Sequence, residues 1–342
     1  MTLIRIGILV HHRLSYTVRR CAVALVVGAV ACVGAACSST GGAPRSSGNS
    51  GGGGTVDTPR MTVAMVTHGA PGDTFWDLVR KGAEDAAKKD NVDFKYSSDP
   101  QAPNQANLVQ NAIDSKVDGI AVTMPNPEAI GPVAKKAEGA NIPAVGLNAG
   151  MDVWQKYGLQ GFFGQDEKVA GEAVGDKLKE QRAQHTLCVI HEQGNSSQEA
   201  RCGGIKDKVN TEILYVNGQD LPSAQATIES KLAQDKSIDW VMGLVAPVAL
   251  RAVDSARDAG SQAKIATFDT NAELVNAIKS GNVQFAVDQQ PYLQGYMAVD
   301  SLWLHKRNGT SIGGGRPVYS GPSFVDSSNV DSIADAAKEG LR

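Results

Sequence analysis

The stretch 62–89, TVAMVTHGAPGDTFWDLVRKGAEDAAKK, decides the fold class. Thr62 to Val66 is a short apolar and β-branched run, the pattern of a buried strand. Pro71-Gly72-Asp73 is turn chemistry, and from about Phe75 to Lys89 the apolar positions recur at helical spacing. Strand, loop and helix in that order make half of a βαβ unit, so the fold depends on whether the unit repeats.

It repeats along the chain. A strand is predicted near Phe94, a helix from Pro103 to about Ser115, a strand at Gly119 to Thr123, a helix at Ala129 to Glu138 and a strand at Ala144 to Leu147, entered through Asn141-Ile142-Pro143. A second series then begins. It has strands at Gly161 to Phe163, Thr186 to His191, Glu212 to Tyr215, Trp240 to Gly243, Lys264 to Phe268 and Phe285 to Val287. Its helices are Lys168 to Arg182, Gln198 to Val209, Ser223 to Gln234, Pro247 to Ala259 and Ala272 to Lys279. Twisted open sheets seldom grow wide enough to hold both series, so the sequence predicts an α/β protein of two Rossmann-like lobes with parallel sheets.

The ends carry different information. Residues 1–36 have a basic stretch (Arg5, Arg13, Arg19, Arg20) before an unbroken apolar run from Cys21 to Val33, which reads as an export signal. The run is too short for a spanning helix. Gly34-Ala35-Ala36-Cys37 resembles a lipobox, although Gly34 stands where Leu is usual. Cys37 is therefore the expected lipidated N-terminus, with plain secretion as the alternative, and the expected location is the outer face of the cell membrane. Residues 37–60 are dominated by Ser, Gly and Thr and form a slack tether. With a net charge of only −3, nothing calls for nucleic acid. Once Cys21 and Cys32 leave with the signal and Cys37 takes lipid, Cys188 and Cys202 remain in an oxidising compartment. That predicts a disulfide, the alternative being two separately buried thiols.

Catalytic patterns are missing. There is no G-x-G-x-x-G opening a helix, no Walker A sequence, no G-x-S-x-G elbow and no EF-hand loop. His191-Glu192-Gln193-Gly194-Asn195 starts like a zinc-protease helix, but it lacks the second histidine and carries a central Gly, so it reads as a strand end and loop. No enzyme, no metal and no cofactor are expected.

In parallel α/β sheets a ligand lies beyond the carboxyl ends of the strands. There the sequence places His68 and Asp73-Thr74-Phe75-Trp76, then Asn148, Glu192 and the helix carrying Arg201, then Asp269, and finally Asp288-Gln289-Gln290. Carboxylates, amides and a guanidinium beside aromatic rings suit a sugar or polyol. Each hydroxyl both donates and accepts, and an aromatic face covers the C–H surface.

The segment from Met61 onward resembles the type I periplasmic sugar-binding proteins, the ribose- and galactose-type receptors of ABC transporters. The resemblance rests on Asp73-Thr74-Phe75-Trp76, Gln105, Val117-Asp118-Gly119-Ile120, Ile142-Pro143-Ala144-Val145, and Gly164-Gln165-Asp166 with Gly171. It continues through Arg201-Cys202-Gly203-Gly204, Thr267-Phe268-Asp269, and Asp288-Gln289-Gln290-Pro291-Tyr292 with Gly295. It implies lobes of 61–165 plus 291–322 and of 166–290 plus 323–342, joined by a three-segment hinge near Gln165, Gln290 and Pro322. It also implies ligand positions at Asp73, Phe75, Trp76, Asn148, Arg201, Asp269 and Gln289. His68, Glu192 and Asn195 are further candidates.

Bland roles stay open for each: helix-start packing for Phe75 and Trp76, a solvated surface for Arg201, an N-cap for Asp269 and a hinge-backbone bond for Gln289. One departure stands out. Many relatives have Asn-Asp after the strand equivalent to Trp240 to Gly243, whereas this chain has Leu244-Val245-Ala246-Pro247, a less polar wall that favours a polyol or a deoxy or keto sugar. The implied partners are a small sugar or polyol, the permease subunits of an importer and the membrane through the anchor, with the chain acting as a monomer. An autoinducer-2-like or chemotactic receptor of the same fold is the alternative.

Overall fold

A computed structural model describes residues 56–342. The expected signal segment, the lipidation position Cys37 and residues 37–55 of the tether lie outside the described residues.

The first series runs β1 (Met61–Thr67), α1 (Thr74–Lys89), β2 (Val92–Ser98), α2 (Ala102–Asp114), β3 (Gly119–Val122), α3 (Pro127–Ala134), α4 (Lys136–Gly139), β4 (Ala144–Leu147) and β5 (Phe162–Gly164). The second runs α5 (Glu167–Glu180), β6 (Thr186–Ile190), α6 (Ser196–Lys206), β7 (Thr211–Tyr215), α7 (Leu221–Gln234), β8 (Trp240–Gly243), α8 (Ala246–Asp258), β9 (Lys264–Phe268), α9 (Ala272–Lys279) and β10 (Phe285–Asp288). Then come α10 (Pro291–Asn308), β11 (Val318–Tyr319), β12 (Ser323–Asp326), a 3-10 turn at Val330–Ile333 and α11 (Ala334–Lys338).

The strands form two six-stranded sheets of the same design, β11-β5-β4-β3-β1-β2 and β12-β10-β9-β8-β6-β7. Only the β10–β12 pair is antiparallel. Each sheet is covered on both faces, which is why its strands are apolar throughout. Along β1, Val63 and Met65 pack on α1 and α10, while Ala64 and Val66 pack on the α2–α3 side. Along β6, Cys188 and Ile190 meet α5 and α6, while Leu187 and Val189 meet α7 and α8.

α1 shows how sequence fixes an element. Asp73 caps it by accepting from the Phe75 N–H at 3.0 Å. Phe75, Trp76, Val79, Ala83, Ala86 and Ala87 form its buried stripe, and Asn91 at φ 56° turns the chain away after its end. The helix expected over Ala129 to Glu138 instead begins at Pro127, whose missing N–H is no loss at a helix start, and divides at Lys135 into α3 and α4.

The chain passes from one sheet to the other three times, after β5, after β10 and between β11 and β12. These crossings are tied together: Ser320 N–H donates to the Gly164 carbonyl at 2.8 Å, and the Gln294 side chain donates to the Gln289 carbonyl at 2.9 Å and to Ser320 Oγ at 3.1 Å. After two crossings a helix lands on the far sheet, α5 against α6 and α10 against α1. The α5–α6 contact is close because Gly171 and Gly204 leave no side chain between the backbones.

Candidate functional site

Asp73, Phe75, Trp76, Asn148, Arg201, Asp269 and Gln289 line one hollow between the two sheets, together with His68, Glu192 and Asn195. The space left among these side chains is small, about 30 Å³. Five further residues line it without having been singled out as ligand groups: His191, Ser197, Gln198, Leu244 and Val245. The last two make the apolar wall noted in the sequence.

The first lobe contributes from the ends of β1 and β4 and from the start of α1. Asp73 both caps α1 and faces the hollow. The protein crowded around it pushes its carboxyl up to about 7; the Phe75 N–H opposes the shift, and Glu192 and Asp77 add to it. Phe75 and Trp76 are buried and meet edge to face at 5.0 Å, so they pack and line the hollow at once. His68 sits edge-on to Trp76 at 4.6 Å, and its Nδ1 lies 2.8 Å from Thr123 Oγ1, which also accepts from Gln105 at 3.0 Å. Burial, helped by the Arg201 charge, lowers the His68 pKa to about 3, so the ring is neutral.

The second lobe contributes a charged centre. Arg201 is 5% exposed, so it is no solvated surface residue. Its Nε and Nη2 donate to the two carboxylate oxygens of Glu167 at 2.6 and 2.9 Å, and its guanidinium lies 4.5 Å from the centre of the Phe268 ring. Burial disfavours the cation, but Glu167 more than offsets it and the Arg201 pKa is raised. Glu167, the first residue of α5, was not anticipated. Its role appears only once α5 packs on α6.

Asp269 is not the cap of α9, because Asn271 caps that helix by accepting from Leu274 N–H at 2.8 Å. Burial pushes the Asp269 carboxyl up to about 7, against the pull of Arg201 and of the hydrogen bond from Gln289. Gln289 donates to Asp269 Oδ1 at 2.7 Å and accepts from Asn148 Nδ2 at 3.1 Å. Asn195 caps α6 through Ser197 and Gln198 N–H, and its amide donates to Glu192 at 2.5 Å.

Behind the hollow, Cys188 on β6 and Cys202 on α6 bring their sulfurs to bonding distance, with Cα atoms 5.9 Å apart. The lobes also touch away from the crossings: Ser196 N–H and Oγ both donate to the Pro125 carbonyl, at 3.0 and 3.1 Å.

Two similar α/β lobes, three crossings and a polar hollow between them describe one family, and the model of a periplasmic binding protein domain matches residues 63–310. The chain belongs to the periplasmic binding protein family. These are sugar-binding transport proteins, not enzymes. Among solved structures, a carbohydrate transporter protein from Acidothermus cellulolyticus, in complex with myo-inositol, is 52% identical. That match covers 83% of this chain and all of the other, with a TM-score of 0.82. The xylose/arabinose-binding protein of Sulfolobus acidocaldarius is 22% identical over 82% of this chain and 74% of its own length. The ribose import binding protein of Haemophilus influenzae is 23% identical over 71% and 83%.

Within this periplasmic binding protein, two residues at the hollow, Asn148 at φ 61° and Asp269 at φ 67°, have left-handed backbones, as does Gln290 at φ 54° at the crossing after β10. Asn and Asp tolerate that region better than most side chains, and such conformations persist where surrounding structure enforces them.

Proposed function

We propose that this protein is the substrate-binding component of an ABC importer and captures a small cyclic polyol of the inositol type between its lobes. The observation that carries the reading is the ring of mixed donors and acceptors: Asp73, Asp269, Asn148, Gln289 and Arg201 around one hollow. A cyclitol has a hydroxyl on every carbon and no ring oxygen. It therefore needs acceptors and donors all round, and its C–H faces can rest on Trp76 and on the Leu244–Val245 wall. The myo-inositol held by the Acidothermus cellulolyticus protein supports this choice over a pentose.

In this reading the lobes are 61–165 plus 291–322 and 166–290 plus 323–342, and they close on the ligand because contacts from both sides favour the closed form. The protein acts as a monomer and presents that closed form to the permease. Cys37 carries the lipid that holds it to the membrane, and the Cys188–Cys202 bridge forms after export. Titration calorimetry with myo-inositol, D-ribose, D-xylose and D-galactose tests the ligand class. Binding of myo-inositol tighter than any of the three sugars is expected; a preference for one of the sugars overturns the cyclitol reading.

A further inference from the structure

The crossings join the β5/β11 edge of one sheet to the β10/β12 edge of the other, so β2 and β7, at the opposite edges, flank the mouth of the cleft. At that mouth lies a second recess of about 580 Å³, open to solvent. It is walled by loops that follow β2, β3, β6 and β7, and it shares His68, His191, Glu192 and Asn195 with the inner hollow. The two spaces are therefore neighbours across a single partition.

The lining has a definite chemistry. Gln101 and Asn126 face it from one lobe, and Gln193, Asn217 and Gln219 from the other, all neutral amides that can donate and accept. No Lys or Arg lines it. Burial lowers the pKa of His191 to about 4 and that of His68 to about 3, so both are uncharged at neutral pH. Glu192 is the one anionic group. Such a lining repels a phosphate and offers nothing to a cation beyond one carboxylate, but it suits a neutral molecule rich in hydroxyls.

Tyr215 adds the apolar part. It is 46% exposed, one of three large apolar side chains left so open among the described residues, and it lines this recess. Its hydroxyl is held by Glu199 at 3.0 and 3.2 Å, which fixes the ring and leaves its faces for something else. An orientated aromatic ring among amides is what the C–H face of a sugar packs against.

The partition itself is weak. His68 Nε2 lies 3.7 Å from Glu192 Oε2 and 3.5 Å from Asn195 Nδ2, both long for hydrogen bonds, and the ring carries no charge to strengthen them. A substituent on a ring in the hollow meets these long contacts first, and beside them the Ser196–Pro125 hydrogen bonds at the wall of the recess.

We propose that the recess is a subsite for a second ring, and that the protein takes glycosides of its polyol, with the polyol in the hollow and a neutral sugar ring against Tyr215. The inference rests on the reading of the hollow as a cyclitol site.

Titration calorimetry on the full chain with myo-inositol and with galactosyl-myo-inositol tests it, in the unaltered protein and in Tyr215→Ala. The glycoside should bind at least as tightly as myo-inositol. Tyr215→Ala should weaken the glycoside on the order of 3- to 10-fold, the loss of one aromatic contact, and leave myo-inositol within about twofold, which also shows that the variant is folded. Binding of myo-inositol with the glycoside tenfold weaker or absent overturns the subsite and leaves the cyclitol reading intact. An equal effect of Tyr215→Ala on both ligands overturns it too. If neither ligand binds, the cyclitol reading fails and the subsite with it.

Discussion

Asn148 and Asp269 occupy matching places, each immediately after the third strand from the crossing edge of its sheet, β4 in one and β9 in the other. Both have left-handed backbones, and the Gln289 side chain joins them, accepting from one at 3.1 Å and donating to the other at 2.7 Å. The two lobes thus meet through one amide at a crossing of the chain. Ligand hydroxyls that engage Asn148 and Asp269 report directly on the distance between the lobes.

Replacing that amide separates the two halves of the site. Gln289→Ala removes two neutral hydrogen bonds, from Asn148 and Gln294, and the bond to Asp269, and it leaves Asp269 with a single strong partner field, that of Arg201. Affinity for the ligand should fall on the order of 10- to 100-fold, corresponding to about 1.5–3 kcal/mol. Calorimetry that finds the affinity within twofold of the unaltered protein removes Gln289 from the site.

Two carboxylates at the hollow, Asp269 buried and Asp73 partly exposed, make the empty protein sensitive to pH. Asp73 and Asp269 each rise from 3.8 to about 7 on folding, burial being the main cause for both. Between those values the folded state holds protons that the unfolded state has released, so stability falls as pH rises from about 4 to about 7 and levels off above. Below about 4 both states are protonated and the two groups add no further slope. The Asp73→Asn, Asp269→Asn double variant lacks this slope. Differential scanning calorimetry of both ligand-free proteins from pH 4.5 to 8 should show the unaltered protein losing ground to the variant as pH rises; parallel profiles count against the burial argument.

Most of the architecture was legible because its strands are buried on both faces and read as unbroken apolar runs, as Gly119 to Val122 does. The polar residues that follow the strands were legible for the same reason, since the strand ends fix where the crevice lies. Glu167 was not, because its partnership with Arg201 depends on α5 crossing to the other sheet and packing on α6, a contact between separate βαβ units. Nor were β11 and β12 visible. β11 is only two residues, β12 (Ser323–Asp326) is polar at both ends and lacks the apolar run of the other four-residue strands, and both are strands only because β5 and β10 offer them open edges.

Helix α6 carries Arg201 and owes its position to glycine. A Cβ on Gly171 would sit 2.2 Å from the Arg201 carbonyl oxygen, whereas one on Gly203 meets nothing within 4 Å. Gly171→Ala must push α6 away from α5, costing at least about 1–3 kcal/mol and displacing the guanidinium. Gly203→Ala should be neutral or stabilise by up to about 1 kcal/mol, because Ala favours the helix. Urea unfolding of the two variants checks the pair, and equal stabilities would refute the close-packing account.

The proposed Cys188–Cys202 bridge would tie the same helix to β6 across a sequence separation of 14. Closing a loop of that size restricts the unfolded chain by about 3 kcal/mol in the entropic account. The Cys188→Ala, Cys202→Ala double variant should therefore unfold at lower urea by an amount near that figure, and a reducing agent should lower the melting temperature of the unaltered protein but not of the variant. Insensitivity of the unaltered protein to reductant would mean that the thiols are free.

Ser196 tests closure itself. Its N–H and Oγ donate to the Pro125 carbonyl across the cleft, and neither residue lines the inner hollow. The contact exists only when the lobes are together, so it stabilises the closed form without touching ligand. Ser196→Ala deletes the hydroxyl donor, keeps the N–H, and should cost about 0.5–1.5 kcal/mol in the closed state alone. Ligand meets the open form first, so the association rate should hold while dissociation quickens on the order of 2- to 10-fold. Stopped-flow fluorescence separates the two rates, using Trp76 at the hollow as the reporter. An unchanged dissociation rate would mean that the Ser196–Pro125 contact plays no part in holding the lobes shut, and a slowed association would mean that Ser196 acts before closure rather than in it.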